Sequence, residues 1–367
     1  MITAGDVGVF HDGGGVSQYH FNQLPNIKFD EERHYYQGAD SFDQFLQSNH
    51  KFKIASFHVP FPNKNEWTLR AKLAYKEVDH IFVFCSELHK ATAEQLRRLD
   101  KPSVSIYVNG TFNRPFEHAQ VHPWMDWFCQ PLRFYKELYP AFLDQHLSAK
   151  PAPMMFDVLL GAQREHRDFV FFFIRASMNK HLYYSTYYQR IDMPLRFSGF
   201  DMDEDDVKTI PDATLNHSID KVLYHGHKLS ISQIVPTKIY NQTNYSIVAE
   251  TNAENNFSFP TEKVTKPLMA RRLFVVIAGQ HYLRNLRSLG FKTFDSIIDE
   301  SYDAEPDPKQ RWTMAMQQCE WLCQQDPEVI LEQVKPIVDH NKNLIFTHDW
   351  YNEVSRLLES ELLPYVE

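Results

Sequence analysis

MMFDVLLGAQREHRDFVFFFIRASMNK, residues 154–180, reads as strand, loop and helix in direct succession. Met154 to Leu160 is an apolar run of strand length, Gly161 to Arg167 is a polar loop, and Asp168 to Lys180 has the length of a helix. This succession is the repeating unit of a parallel α/β sheet. Downstream, Tyr245 to Ala249 and Leu273 to Ala278 read as strands, with a helix over Thr261 to Arg272 between them. Upstream, Val7 to Phe10, Lys53 to His58, His80 to Cys85 (HIFVFC) and Ser103 to Val108 read as strands. Helices are expected there over Val16 to Gln23 and Ser86 to Leu99. Residues 110–150 have no clean period and end in LSAKPAP, so the junction of two α/β domains is placed near 145–152. After Asp307 the pattern is helical, over Gln310 to Gln325 and from Pro327 onward. The expected organisation is an α/β domain over 1–150, a second over 151–340, and a helix over 341–367 packing back on the first.

A chain of 367 residues suits two domains. Apolar residues make up 43% and aromatics 14%, enough to bury cores and above what a disordered chain carries. The formal net charge of -9 gives no general attraction for a polyanion, so any nucleic-acid contact needs a local basic patch. Cys85, Cys129, Cys319 and Cys323 are scattered except for the last two, and read as reduced buried thiols rather than a zinc site. The acidic run DMDEDD, residues 201–206, lacks the glycine turn and ligand spacing of a calcium loop and reads as a solvated loop. No apolar run approaches the ~20 residues that span a bilayer, and the first residues do not form a basic-apolar leader. A soluble cytoplasmic protein without a membrane partner is expected.

The chemistry concentrates in NNFSFPTEKVTKPLMARRLFVVIAG, residues 255–279. Pro260 restrains the approach, Thr261 can cap a helix, and Glu262 and Lys263 then fall in its first turn, where free backbone N–H groups favour an anion. A phosphate fits there, with Lys263 as a point charge and Glu262 as acceptor for ribose hydroxyls. Between 263 and 292 the cations Lys263, Lys266, Arg271, Arg272, Arg284, Arg287 and Lys292 occur with no Asp or Glu before Lys292. The ordinary reading of an isolated Glu-Lys pair is an exposed first turn. HIFVFC and FVFFFI read as core, and His58, His225 and His227, each alone in the sequence, as satisfied or exposed histidines.

The order Val248-Ala249-Glu250-Thr251-Asn252, Pro260-Thr261-Glu262-Lys263, then an apolar strand closing on Gly279, resembles the donor-binding segment of α1,3-fucosyltransferases, glycosyltransferase family 10. That family has a Glu-Asn-Ser element, then Thr-Glu-Lys, then a strand ending in glycine. Glu250, Thr251 and Asn252 match the first approximately, and Phe274 to Gly279 the third. Residues 154–180 are similar to the family's Rossmann entry, in which an arginine contacts the donor diphosphate; Arg167 takes that place, with Arg164 and His166 beside it. LRNLRSLGFKTFDSIIDESYD, residues 283–303, resembles proteins of large DNA bacteriophages that carry such a half.

The resemblance implies an α/β protein of two facing Rossmann-like domains, the GT-B type, with C-terminal helices, and transfer of a sugar from a UDP- or GDP-linked donor without an essential metal. Donor-binding residues would be Arg164, Arg167, Glu250, Asn252, Thr261, Glu262 and Lys263. The base that takes the acceptor proton would come from the first half, with Asp12, His11 and Glu87 as candidates near the turn Gly13-Gly14-Gly15 and the strand ends. The acceptor would be a hydroxymethylated base of viral DNA, in host cytoplasm, or a glycan. A non-catalytic nucleotide- or DNA-binding protein is the alternative.

Overall fold

The structure is a computed structural model of the chain and describes residues 2–3, 5–12, 15–38, 41–59, 71, 74, 76–187 and 221–366. Gly13, Gly14 and the DMDEDD loop lie outside the described residues. The chain is mixed α/β and divides into two compact units, Met1–Asp126 with Asp349–Glu367, and Trp127–His348. Among the described residues, no helix is long and apolar enough to cross a membrane.

The first unit carries a six-stranded parallel sheet of β1 (Val7–Asp12), β2 (Tyr35–Gln37), β3 (Phe52–Val59), β4 (His80–Cys85), β5 (Val104–Val108) and β6 (Gln120–Pro123). Their order is β2-β1-β3-β4-β5-β6. β1, β4 and β5 are buried throughout, which explains their continuous apolar runs: both faces of the sheet are covered. On one face α1 (Gly15–Asn22) and the C-terminal helix Trp350–Val366 join Phe21, Val354, Leu358 and Leu362 to Phe82, Phe84 and Tyr107. On the other, Phe42 and Phe45 of α2 (Phe42–Gln47) pack on Phe10 with centroids at 4.8 and 5.7 Å. The C-terminal helix is also held by polar contacts, Glu361 taking His122 Nε2 at 2.5 Å and Tyr107 OH at 3.1 Å. After β4, helix α3 (Lys90–Arg97) begins four residues later than its sequence suggests, because Ser86 to His89 form an irregular turn.

The second unit holds a four-stranded parallel sheet of β7 (Met154–Leu160), β8 (Tyr183–Tyr187), β9 (Thr243–Ala249) and β10 (Phe274–Ile277), in the order β8-β7-β9-β10. The chain leaves β7 toward β8 and returns on the other side at β9, so the strand order reverses between β7 and β9. In open parallel sheets that reversal opens a crevice outside the carboxyl ends of the strands. α4 (Glu165–Ala176), α5 (Glu262–Met269) and α6 (Tyr282–Ser288) follow β7, β9 and β10 respectively. The helical tail continues in α7 (Pro308–Leu322) and α8 (Pro327–Thr347), each with proline in its first turn and an Asp side chain as cap, Asp307 and Asp326. The helix expected to run from Pro327 to the end is therefore two helices, broken at His348 and Asp349.

Two details differ from the expected elements near the site. α4 starts at Glu165 instead of Asp168, because Arg164 O already accepts the N–H groups of Arg167 and Asp168, at 3.0 and 2.9 Å, so Arg167 belongs to the first helical turn. The run FVFFFI is only partly core, since the helical period turns Phe172 outward at 56% exposure. At the amino end of β9, a buried network fixes the sheet: Arg272 pairs with Asp157 at 2.8 Å and donates to Ser246 Oγ, Thr243 O and Tyr240 O.

Candidate functional site

β9 ends at Ala249 and hands the chain to Glu250, whose side chain is fully buried. Glu250 Oε1 accepts Thr261 N at 3.0 Å and Tyr282 OH at 2.7 Å, and Oε2 accepts Thr261 Oγ1 at 2.6 Å and Thr251 N at 3.2 Å. Burial raises its pKa, and Lys263 with the Thr261 and Tyr282 hydrogen bonds works against that rise. One carboxylate thus ties the end of β9 to the starts of α5 and α6. It is closed by protein donors and shapes the site from beneath.

Thr261 is the cap of α5, in extended backbone, and its Oγ1 accepts Lys263 N at 3.3 Å. Glu262 is 4% exposed, so the pair is not the exposed first turn of the ordinary reading. Burial works against its charge, but Lys263 and Lys266 outweigh burial and hold the carboxyl below its usual value. Lys263 Nζ lies 2.7 Å from Glu262 Oε1 and donates to Thr251 Oγ1 at 3.2 Å, with 23% of its side chain exposed. One turn on, Lys266 donates to Ile231 O at 3.2 Å, and burial, partly offset by Glu262, pushes its pKa down to about 8.

α4 supplies the facing wall across the β7/β9 reversal. Arg167 is 3% exposed and donates through Nη1 to Ala162 O at 2.8 Å and through Nη2 to Glu250 O at 2.9 Å. Its Nε is buried without a hydrogen-bond partner, a donor still open to an acceptor. His166 Nε2 reaches the same Glu250 carbonyl at 2.8 Å, which requires the proton on Nε2. Burial, with Arg167 beside it, pushes that imidazole down to about 3. Arg164 is exposed at the start of the helix.

The loop after Glu250, which carries the half-buried Asn252, is pinned at its far end. Asn255 Oδ1 accepts Arg311 Nη2 at 2.7 Å, and Arg311 Nε donates to Ala278 O at 3.1 Å. Gly279 lets this loop approach the end of β10: a Cβ there would stand 1.8 Å from Glu254 O.

Arg167, Glu250, Thr261, Glu262 and Lys263 therefore form one contact chain at the strand reversal, with Arg164 and Asn252 on the segments beside it. Sequence reasoning missed Tyr282, Lys266 and Arg311. Tyr282 carries no local signal, since its partner lies 32 residues upstream; Lys266 was visible only as one of the clustered cations.

In the first unit, His11 and Asp12 close β1, at the carboxyl edge where strand order reverses between β1 and β3. His11 is 2% exposed, lies against the rings of Phe21 and Tyr35 at 5.1 and 4.8 Å, and is pushed by burial down to about 3. That is a core imidazole and a weak base, which leaves Asp12, 8% exposed, as the carboxylate at the strand end. Glu87 lies after β4 and pairs with His89 at 3.0 Å. Among the described residues, no group of three or more His, Cys, Asp or Glu is placed to hold a metal ion. No protein-family model, curated protein or solved structure matches the chain.

Proposed function

We propose that the second unit binds a nucleotide-sugar donor and that the chain is a glycosyltransferase of the GT-B type. The observation that supports this best is the contact chain from Arg167 through Glu250 and Thr261 to Lys263, built at the strand reversal of a parallel sheet. A diphosphate there would meet the first turn of α5, Lys263 Nζ, the open Nε of Arg167 and the exposed Arg164. Glu262 holds Lys263 in place and offers its carboxylate to ribose hydroxyls. During transfer these cations would offset the charge that develops on the departing nucleoside diphosphate, while a carboxylate, for which Asp12 is the candidate, takes the acceptor proton.

For the acceptor, the pairing of the basic segment favours a glycan over hydroxymethylated DNA. Lys263 is paired with Glu262, Arg271 with Asp144 and Asp339, Arg272 with Asp157, and Arg287 with Glu300. Cations so neutralised release few counterions from a phosphate backbone. A non-catalytic nucleotide-binding protein would keep the donor site and show no turnover.

The test is a thermal-shift screen against UDP, GDP, ADP, CDP and their common sugars, since a ligand specific for the folded state raises the midpoint. A shift with one diphosphate that disappears in Lys263→Ala supports the donor site, and the absence of any shift overturns it. Release of nucleoside diphosphate from the sugar conjugate then separates enzyme from binding protein.

A further inference from the structure

Lys266 is half-buried on α5, and among the described residues no carboxylate lies within ion-pair distance of its Nζ. Lys263, Arg271, Arg272 and Arg287 each have one. Its hydrogen bond goes to Ile231 O at 3.2 Å, which leaves two of the three ammonium protons over. A charge drawn partly out of water in this way favours an anionic partner.

The carbonyl that holds it belongs to the short helical turn Ile231–Gln233. That turn is set before any ligand arrives: Ser230 and Gln233 close a capping box, and Gln233 Nε2 reaches Gln130 O at 3.2 Å. The next residue, Ser232, is 3% exposed, and its Oγ is buried without a hydrogen-bond partner. Buried hydroxyls are rarely left so unless something else supplies the missing bond. Because Ser232 follows Ile231 directly, its hydroxyl is within a side chain's length of the Lys266 ammonium. Lys266 also follows Glu262 by one turn on the same face of α5, and helical side chains lean toward the N-terminus, so the ammonium extends beside the first turn.

We propose that Lys266 and Ser232 bind an oxyanion, a phosphate or carboxylate group, beside the first turn of α5. Within the nucleotide-sugar reading, on which this step rests, the group is the outer phosphate of the diphosphate or the carboxylate of an acidic sugar, a uronic acid. Burial lowers the Lys266 pKa to about 8 against the pull of Glu262, and Lys263 adds to the fall. Those two charges lie on α5 itself, and the turn Ile231–Gln233 carries none. An anion seated there favours the charged amine and therefore raises that pKa. A lysine that only tied down the Ile231 carbonyl would titrate alike with and without the anion.

The test labels the lysines of the whole chain by reductive methylation with carbon-13, which keeps their charge, and follows the Lys266 signal by NMR through a pH titration. Lys266→Arg identifies that signal by its loss. The probes are inorganic pyrophosphate, glucose 1-phosphate and glucuronic acid 1-phosphate, each at saturation. The Lys266 midpoint should start well below that of an ordinary lysine and rise by about 1 pH unit or more. A rise with pyrophosphate or glucose 1-phosphate assigns the group as phosphate; a rise with glucuronic acid 1-phosphate alone assigns it as the sugar carboxylate. Lys266→Met and Ser232→Ala should each weaken the effective probe at least ~10-fold. If no probe moves the Lys266 midpoint, or both variants bind like wild type, the proposal is overturned. A shift confined to the Lys263 signal would overturn this subsite and leave the donor site standing, whereas a Lys266 shift in a chain that binds no nucleotide would do the reverse.

Discussion

Glu250 Oε2 accepts the Thr261 hydroxyl at 2.6 Å, and this contact, not the ion pair beside it, seats the start of α5 on the sheet. Glu250 is fully buried and its donors are all protein groups, so removing the carboxylate leaves Thr261 and Tyr282 without acceptors. Glu250→Ala should therefore cost more than about 2 kcal/mol of stability. Thr261→Ala should cost about 1 kcal/mol as a lost cap, and Thr261→Ser much less. Urea unfolding checks this ranking; a Glu250→Ala protein as stable as wild type would show that the carboxylate does not organise the site.

Lys263 and Arg164 are the cations with exposed surface at the crevice. Replacing either with alanine should weaken nucleoside-diphosphate binding about 10-fold, or ~1.4 kcal/mol; Arg164→Ala should leave the melting temperature nearly unchanged, whereas Lys263→Ala should lower it by leaving the buried Glu262 carboxylate without its ion pair. Isothermal titration provides the measurement, repeated at two salt concentrations because exposed cations are screened. Equal affinity in both variants and wild type would remove the proposed phosphate contact.

Gly279 has no room for a methyl group, since Glu254 O would be 1.8 Å from it and Phe257 O 3.3 Å. Both obstacles are backbone, which cannot turn aside as a side chain would. Gly279→Ala should cost about 1–3 kcal/mol and displace the loop bearing Asn252, so that nucleotide affinity falls with stability. A variant with wild-type melting and affinity would mean the loop moves freely.

Acid should loosen the fold first through its histidines. Burial lowers His11 and His166 to about 3 and His20 to about 4, below the 6.5 of an unfolded chain. As pH falls below 6.5 the unfolded chain binds protons that the fold refuses, so stability drops, by up to ~1.4 kcal/mol per pH unit for each histidine. The loss levels off near pH 3–4, once the folded imidazoles also protonate. Glu361, held below its usual value by His122 despite burial, adds a loss of the same sign only at lower pH. Melting temperatures between pH 6.5 and 5 should fall, less steeply in His20→Gln; a rise on acidification would contradict the buried neutral state.

Which elements were legible follows from where they lie in the sheets. β1, β4, β9 and β10 are central or covered on both faces, and their apolar runs stand out in the sequence. β2, β6 and β8 were not foreseen, and all lie at sheet edges, where strands such as YYQ, QVHP and YYSTY carry polar groups and lose the apolar signature. Within the site, Thr261, Glu262 and Lys263 were visible because capping is local. Contacts set by register were not: the Ser86 partner of His58 is 28 residues away, and the Asp157 partner of Arg272 is 115.

The proposed transfer needs a base as well as a donor site, and Asp12 is the carboxylate that the first sheet offers where its strand order reverses. Asp12→Asn preserves shape and removes the basic oxygen. It should keep nucleotide affinity within about 2-fold while lowering the rate of sugar transfer, or of donor hydrolysis, by about 100-fold or more. Glu87→Gln is the matched comparison, because Glu87 also follows a strand but is already paired with His89. If Asp12→Asn turns over at the wild-type rate and Glu87→Gln does not, the base lies after β4 instead of at the end of β1.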